Sequence, residues 1–454
     1  MLRKPGLPKG TRDFGPEQMF RRNHIINKIR VVFETYGFLP LETPSLENLS
    51  VLTGKYGDEG DQLLFKILNS GDFLGKTIEE DYKQGSKEFT WKISNKGLRY
   101  DLTVPFARYV VKHQNEITFP FRRYQIQPVW RADNPQKGRY REFYQCDADI
   151  IGTNSLISDL EMVWLIHDVF KSLNLDDFLL KFSNRKIITA ISEYIGVPGK
   201  ASTLCVALDK LEKIGRDNVF EELIAKGMSE QSCGRLTPIL EISGDNQQKL
   251  EKLKGYIGNL ETGKHGIEEV SFILEIVANK KDIDLKLDFD ITLARGLSYY
   301  TGTIFEVKPT TVQMGSITGG GRYDNLTGLF GLDGMSGTGI SFGIDRIYDV
   351  MVELNLFPQT DLAGTKVMIT NFDHNTLGFS LVVLNTLRKK GINSELYPDE
   401  AKMKKQFRYA DKKGILFVAI IGPDETQRNI VSLKNMATGE QQSLTVDELI
   451  RKLS

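Results

Sequence analysis

The stretch from Phe121 to Asp149, FRRYQIQPVWRADNPQKGRYREFYQCDAD, constrains the fold more than any other part of the chain. Tyr124, Ile126, Pro128 and Trp130 alternate with Gln125, Gln127 and Arg131. Further on, Tyr144, Cys146, Ala148 and Ile150 alternate with Gln145, Asp147 and Asp149. A period of two places each set on one face of a sheet. The two runs therefore read as strands joined by a short basic loop, with one apolar face and one face of amides, carboxylates and arginine. Such a polar face either meets water or lines a site for a polar ligand. Arg139 and Arg141, in and after the loop, favour a ligand, because a planar guanidinium suits phosphate oxygens.

The chain has 454 residues, a length that suggests about three domains. Lys+Arg and Asp+Glu both total 59, so no global field draws the chain to nucleic acid and any such binding must come from local patches. Cys146, Cys205 and Cys233 have no C-x-x-C spacing, which argues against a zinc site or a disulfide framework and for a reducing compartment. The histidines (His24, His113, His167, His265, His374) are scattered without ligand spacing, so no metal-ligating set is expected. No apolar run approaches the roughly 20 residues of a membrane span. The basic N-terminus lacks the apolar core of a secretory signal. A cytoplasmic protein without a membrane partner is the expectation.

Along the chain, Pro16 to Tyr36 reads as a helix, with Ile25, Ile29, Phe33 and Tyr36 at helical spacing and Gly37 as its stop. Phe38 to Glu42 reads as a strand, and Asn69 to Lys87 as a polar surface excursion. Leu156 to Leu173 reads as an amphipathic helix. From Gly196 to Asn279 the composition turns to Lys, Glu and Leu at helical spacing, which suggests an inserted helical module. Strand character returns from Leu285. Leu354 to Gly364 carries Pro and small polar residues and reads as a linker. The remainder alternates strands and helices as a small α/β domain.

Several motifs carry candidate chemistry. In DFDITLARGLSYYTGTIFEV, Arg295 lies between strand-like runs, Tyr299 and Tyr300 follow, and Gly296 and Gly302 permit close backbone approach. TGGGRYDNL, from Thr318, suggests a tight turn with its backbone exposed to a bound group. GISFGIDRI leads from a Gly-rich strand into a helix, where Arg346 could meet a nucleotide's phosphate and base. Lys404, Arg408 and Lys412 share one face of a C-terminal helix, with Phe407 and Tyr409 alongside. Such a face is usually only solvated, but it also suits single-stranded RNA. GDFLGKT, at Gly71, is one residue short of a phosphate-binding loop and reads as a polar turn.

Together these pieces resemble class II aminoacyl-tRNA synthetases, specifically the histidyl-tRNA synthetase family. PKGTRDF, the segment ending at Pro44, LRYDLTVPFARY, the long hairpin, ARGLSYYTG, GGGRYD, GISFGIDR and ELYPDEAKMKKQFRYAD carry the likeness across most of the chain. ARGLSYYTG is its most specific element. The resemblance implies an α/β chain whose α+β catalytic domain is an antiparallel-sheet core, with the helical module inserted and an α/β anticodon-binding domain at the C-terminus. Its boundaries would be 1–195 and 280–354 for the core, 196–279 for the module, 355–364 for the linker and 365–454 for the last domain.

The implied activity is ATP-dependent activation of L-histidine to the adenylate, then transfer to the 3′ end of tRNA(His), in a homodimer using Mg2+. Arg131 would hold the ATP α-phosphate, with Arg295 on its opposite side and both in the catalytic role. Arg139 would meet the outer phosphates, and Arg346 the adenine and γ-phosphate. Asp101 and Thr103 would bind the α-amino group, Gln145 would position the amino acid, and Asp149 would lie toward the imidazole. Tyr299 and Tyr300 would line the histidine pocket, and Lys404, Arg408 and Lys412 would touch tRNA. Ser298 departs from the family's usual acidic residue, which implies altered contacts around Arg295. The rival reading is a non-catalytic synthetase paralogue acting as a regulatory or RNA-binding protein. Against a regulatory paralogue, Arg131, Gln145, Arg295 and Arg346 are all present and the C-terminal α/β domain is attached; a pure RNA-binding module leaves the phosphate-directed arginines without a purpose.

Overall fold

The computed structural model describes residues 5–54, 62–136, 138–280, 285–294, 299–358 and 364–454. They form two compact units. The larger comprises the residues up to Phe14 and Arg21–Leu356; the smaller comprises Gly15–Phe20 and Phe357–Ser454.

In the larger unit the strands are β1 (Leu39–Pro40), β2 (Leu46–Asn48), β3 (Lys66–Ile67), β4 (Lys96–Leu98), β5 (Phe121–Trp130), β6 (Glu142–Ile151), β7 (Phe178–Asn184), β8 (Leu287–Phe289), β9 (Thr303–Pro309), β10 (Thr318–Tyr323) and β11 (Gly337–Gly343). Eight of them build one sheet in the order β1-β5-β6-β11-β10-β9-β7-β8. Its two outermost pairs, β1–β5 and β7–β8, are parallel, and the six strands between them run antiparallel. The β5–β6 hairpin is the long paired ribbon that the alternating sequence predicts, in register from Phe121↔Ile151 to Trp130↔Glu142. β2, β4 and β3 form a small separate sheet.

One face of the large sheet is packed under helices. Helix Pro16–Thr35 buries Arg22, Ile25, Ile29 and Phe33, a stripe at three- and four-residue spacing. Phe342 of β11 meets Phe33 and, from helix Ile157–Ser172, Phe170, each at 5.8 Å between ring centres. Cys146, the register partner of Phe342, is fully buried on the same face. Aromatic burial of this kind supplies much of a core's cohesion. The other face presents the intervening residues of β6 and β11. The helices between residues 201 and 279 group with the sheet in this unit. Helix Glu261–Asn279 lies close against helix Arg185–Tyr194, where a Cβ on Gly266 would be tight, 3.0 Å from Ile187.

TGGGRY is a central strand rather than the tight turn expected from its glycines. All of β10 is buried and pairs with both β9 and β11. Its glycines thin the sheet: a Cβ on Gly320 would approach Ile340 Cα to 2.7 Å, and one on Gly321 would lie 2.9 Å from the Tyr300 ring. Arg322 is also buried. It reaches Asp159 and Ser336 side chains and the Ser155 carbonyl, and its role is to tie strands to helix.

The smaller unit holds β12 (Val367–Ile369), β13 (Ser394–Leu396), β14 (Phe417–Ile420), β15 (Ile430–Asn435) and β16 (Gln441–Thr445), in the order β13-β12-β14-β15-β16. Its first three strands are parallel and the last two antiparallel. Its helices include His374–Lys389 and Val446–Leu453, which bury Leu384, Leu387, Leu449 and Leu453 in its core.

Candidate active site

A cavity of about 320 Å³ opens over β6, β10 and β11. The register explains why polar groups converge there. Gln145, Asp147 and Asp149 alternate along β6, so all point to one side. Across β11 they face Gly343, Ser341 and Gly339. Across β5 they face Gln127, Gln125 and Arg123. The polar face of the hairpin is thus turned inward and nearly sealed: Arg123 and Gln125 are 0 % exposed, Asp147 2 % and Asp149 3 %.

Charges buried this far need partners. Arg123 pairs with Asp149 at 2.7 Å and lies over the Phe106 ring. The Tyr323 hydroxyl donates to Asp149 Oδ1 at 2.8 Å. Burial raises the Asp149 pKa above the usual carboxylate range, while Arg123 and the Tyr323 hydrogen bond hold it down. Asp147 is pushed up to about 7 by burial, opposed by Arg123 and reinforced by the neighbouring charge of Asp149. Gln145 Nε2 donates to Ser341 Oγ at 2.7 Å.

The phosphate-directed groups lie on the same cavity. Arg131 donates from Nε to the Tyr100 carbonyl at 2.9 Å and rests against the Phe143 ring. Arg346, in the first turn of helix Ile344–Glu353, donates to the carbonyls of Gly138 and Ser316, which orients its plane. Arg139 is largely open, with only a loose pair to Asp133 at 3.8 Å. Asp101 and Thr103 stand at the start of helix Thr103–Lys112, where Asp101 Oδ1 accepts from the Val104 N–H at 3.3 Å. Tyr299 and Tyr300 form a side wall, their rings 4.5 Å apart.

The cavity therefore brings together Asp101, Thr103, Arg131, Arg139, Gln145, Asp149, Tyr299, Tyr300 and Arg346. Arg295 and Ser298 lie outside the described residues. Lys404, Arg408 and Lys412 are in the smaller unit, all exposed along helix Met403–Lys413.

Other residues at the site were not singled out by the sequence. Arg123 continues the Gln125–Gln127 alternation by one step, so the period extended backward finds it. Asp345 receives both Arg12 and Arg22 and accepts from the Tyr144 N–H, and Arg12 stacks 3.3 Å from the Tyr140 ring centre. The PKGTRDF segment thereby braces the loop between β5 and β6, whose Arg141 N–H also donates to the Gly10 carbonyl. No local pattern predicts that contact.

The profile of the histidyl-tRNA synthetase family matches residues 10–347, and that of an anticodon-binding domain matches 366–454. The chain belongs to the histidyl-tRNA synthetase family. A histidine–tRNA ligase of Cytophaga hutchinsonii is 54% identical over 452 residues, with 100% of both chains covered. One from Bacteroides fragilis is likewise 54% identical, again over 100% of each. The crystal structure of a histidyl-tRNA synthetase from Nostoc sp. PCC 7120 superposes with a TM-score of 0.82 at 31% identity, covering 99% of this chain and 98% of that one. The antiparallel core and the C-terminal domain are those of a class II histidyl-tRNA synthetase.

Proposed function

We propose that the chain activates L-histidine with ATP to histidyl-adenylate and transfers the histidyl group to the 3′ end of tRNA(His). The observation that carries this reading is one cavity collecting phosphate-directed arginines and a buried polar pocket from five separate sequence motifs. The histidine carboxylate attacks the α-phosphorus, the bond to the bridging oxygen breaks, and pyrophosphate leaves in line. Such a reaction needs positioning and charge neutralisation more than covalent help. Arg131, which lines the cavity, would hold the α-phosphate, with Arg295 as its proposed counterpart. Arg139 has the freedom to follow the outer phosphates. Arg346, held by two carbonyls, offers its plane to adenine. Asp101 and Thr103 take the amino group, Gln145 positions the substrate, and Asp149 and the paired tyrosines face the imidazole.

Among the described residues no three His, Cys, Asp or Glu side chains converge as a metal site. We infer that Mg2+ would be held chiefly by the nucleotide's own phosphate oxygens beside Arg139, where it would supply neutralising charge. The 2′- or 3′-hydroxyl of the terminal ribose then attacks the adenylate carbonyl and AMP leaves. The smaller unit, with its exposed basic helix, serves the anticodon end. We further infer a homodimer in the cytoplasm, the latter favoured by three buried, unpaired cysteines.

Amino-acid-dependent ATP–pyrophosphate exchange tests the reading. Histidine alone among the standard amino acids should support it. Arg131→Ala or Arg295→Ala should slow it by roughly a hundredfold, the scale for one preorganised charge stabiliser. Exchange driven by another amino acid, or unaffected by both substitutions, overturns the reading.

A further inference from the structure

We propose that Arg12 is a positioning residue for the nucleotide: it braces the loop between β5 and β6 so that Arg139 is already in place for the outer phosphates. This rests on the ATP-dependent, histidine-activating reading above. The loop brings Asp133, Gly138, Arg139 and Tyr140 to the cavity wall. It closes on itself where the Arg131 N–H donates to the Arg141 carbonyl at 2.9 Å, and where the N–H and carbonyl groups of Gln136 and Arg139 pair at 3.1 and 2.9 Å. Those bonds shape the loop without fixing it against the rest of the site. A loop that orders only when its ligand arrives weakens binding by the entropy it then loses.

The amino-terminal segment supplies the missing hold. The Gly10 carbonyl accepts from the Arg141 N–H at 2.9 Å. Gly10 has φ +88°, in the left-handed region that favours glycine, and a Cβ there would lie 2.7 Å from Pro135 Cγ and 2.8 Å from Arg141 Cγ. The Arg12 guanidinium lies 3.3 Å from the Tyr140 ring centre and 4.9 Å from that of Phe14. Arg22 covers the same Phe14 ring at 4.0 Å. Both guanidiniums donate to Asp345 Oδ1, and Asp345 Oδ2 accepts from the Tyr144 N–H at 3.2 Å. Asp345 is 4 % exposed, so water screens this anchor little. Arg12 Nε is buried with no hydrogen-bond partner among the described residues, so its hold rests on the ion pair and the ring stack. Arg346 follows Asp345 directly and donates from Nε to the Gly138 carbonyl at 2.8 Å. From the same helix, Asp349 accepts from the Tyr140 hydroxyl at 3.3 Å. Arg139 thus lies between two gripped neighbours, Gly138 held by Arg346 and Tyr140 by Arg12. Its backbone is fixed while its side chain stays free to follow phosphate oxygens.

The test uses histidine-dependent pyrophosphate exchange by the full chain. It reads the KM for ATP, the KM for histidine and the Ki for AMP, which lacks the outer phosphates. Arg12→Met removes the charge and the planar stack, and Arg22 remains to hold Asp345. It should raise the KM for ATP by roughly 10- to 100-fold, the scale of a small misplacement of a positioning group, and leave the other two constants within about twofold. A merely structural role would lower kcat through the folded fraction and single out no substrate. Because Arg12 acts through Arg139, the ATP KM of Arg12→Met/Arg139→Ala should match that of Arg139→Ala within about twofold. An unchanged ATP KM in Arg12→Met, a parallel rise for AMP or histidine, or additive losses in the double variant overturn the inference. If Arg12→Met does not fold, Gly10→Ala carries the same test: it should raise the ATP KM alone, and an unaltered ATP KM there overturns the inference. A histidine-specific enzyme whose ATP KM is indifferent to these substitutions defeats only this inference; an enzyme that activates another amino acid defeats the reading beneath it.

Discussion

Gly339→Ala is the sharpest probe of the pocket. Gly339 sits opposite Asp149 in the β6–β11 register, and a Cβ built there lies 2.5 Å from Asp149 Cγ and nearer still to Oδ1. Carbon atoms in contact settle at about 3.5–4.0 Å, so the carboxylate must move by roughly 1 Å or the strands must part. Asp149 is not free to move. It is pinned by Arg123 at 2.7 Å and by the Tyr323 hydroxyl at 2.8 Å, and all three groups are buried. Disrupting a buried ion pair costs about 3–5 kcal/mol, so a loss of that order in unfolding free energy is expected. The histidine KM should rise at least tenfold. Gly339→Ala/Asp149→Ala removes the obstruction but leaves Arg123 buried without its partner, so it should recover neither stability nor affinity. Gly234→Ala, in helix Glu230–Leu240 with nothing within 4 Å of its Cβ, is the control. It should be neutral or stabilising by up to about 1 kcal/mol. Urea unfolding followed by tryptophan fluorescence, together with pyrophosphate exchange, reads both quantities. A Gly339→Ala enzyme indistinguishable from the Gly234→Ala control refutes the packing argument.

Arg322→Met should cost about 3–5 kcal/mol by leaving Asp159 buried and unpaired, and Arg322→Met/Asp159→Leu should regain much of it; a double variant no more stable than the single one contradicts this. Changing Lys404, Arg408 and Lys412 together to Glu should leave pyrophosphate exchange within about twofold while raising the KM for tRNA tenfold or more and flattening its salt dependence. Unchanged tRNA kinetics would remove that helix from the interface. Light scattering at micromolar concentration should give twice the chain mass; a monomer would exclude the proposed dimer.

The hairpin was legible because period two is a local signal. Gln145 and Asp149 fall on one face in the sequence as they do in the sheet. The family motifs supplied the rest of the cavity, from Asp101 to Arg346. What the sequence did not disclose is set by contacts made at long range. Asp147 looked like Asp149, and only the folded sheet shows that Asp149 pairs with Arg123 and Tyr323 while Asp147 faces Gln125 and Ser341. The glycines from Gly319 to Gly321 suggested a turn because glycine often serves positive φ. Here Gly320 and Gly321 serve thickness, letting neighbouring strands and the Tyr300 ring close in. The bracing of Asp345 by Arg12 and Arg22 joins residues from opposite ends of the core and has no sequence periodicity to announce it.

The adjacency of β6 and β11 has a consequence for how the molecule is made. Residues 152–336 lie between these two neighbouring strands, and they include the whole helical segment and the opposite half of the sheet. During synthesis, the carboxylates of β6 leave the ribosome long before the strand that covers them. Until residue 343 emerges, the hairpin has an open edge and its acidic face remains wet. The pocket is thus a seam, closed when the two halves of the domain dock. An amino-terminal fragment that stops before residue 343 lacks one wall of the pocket and should not hold the substrate.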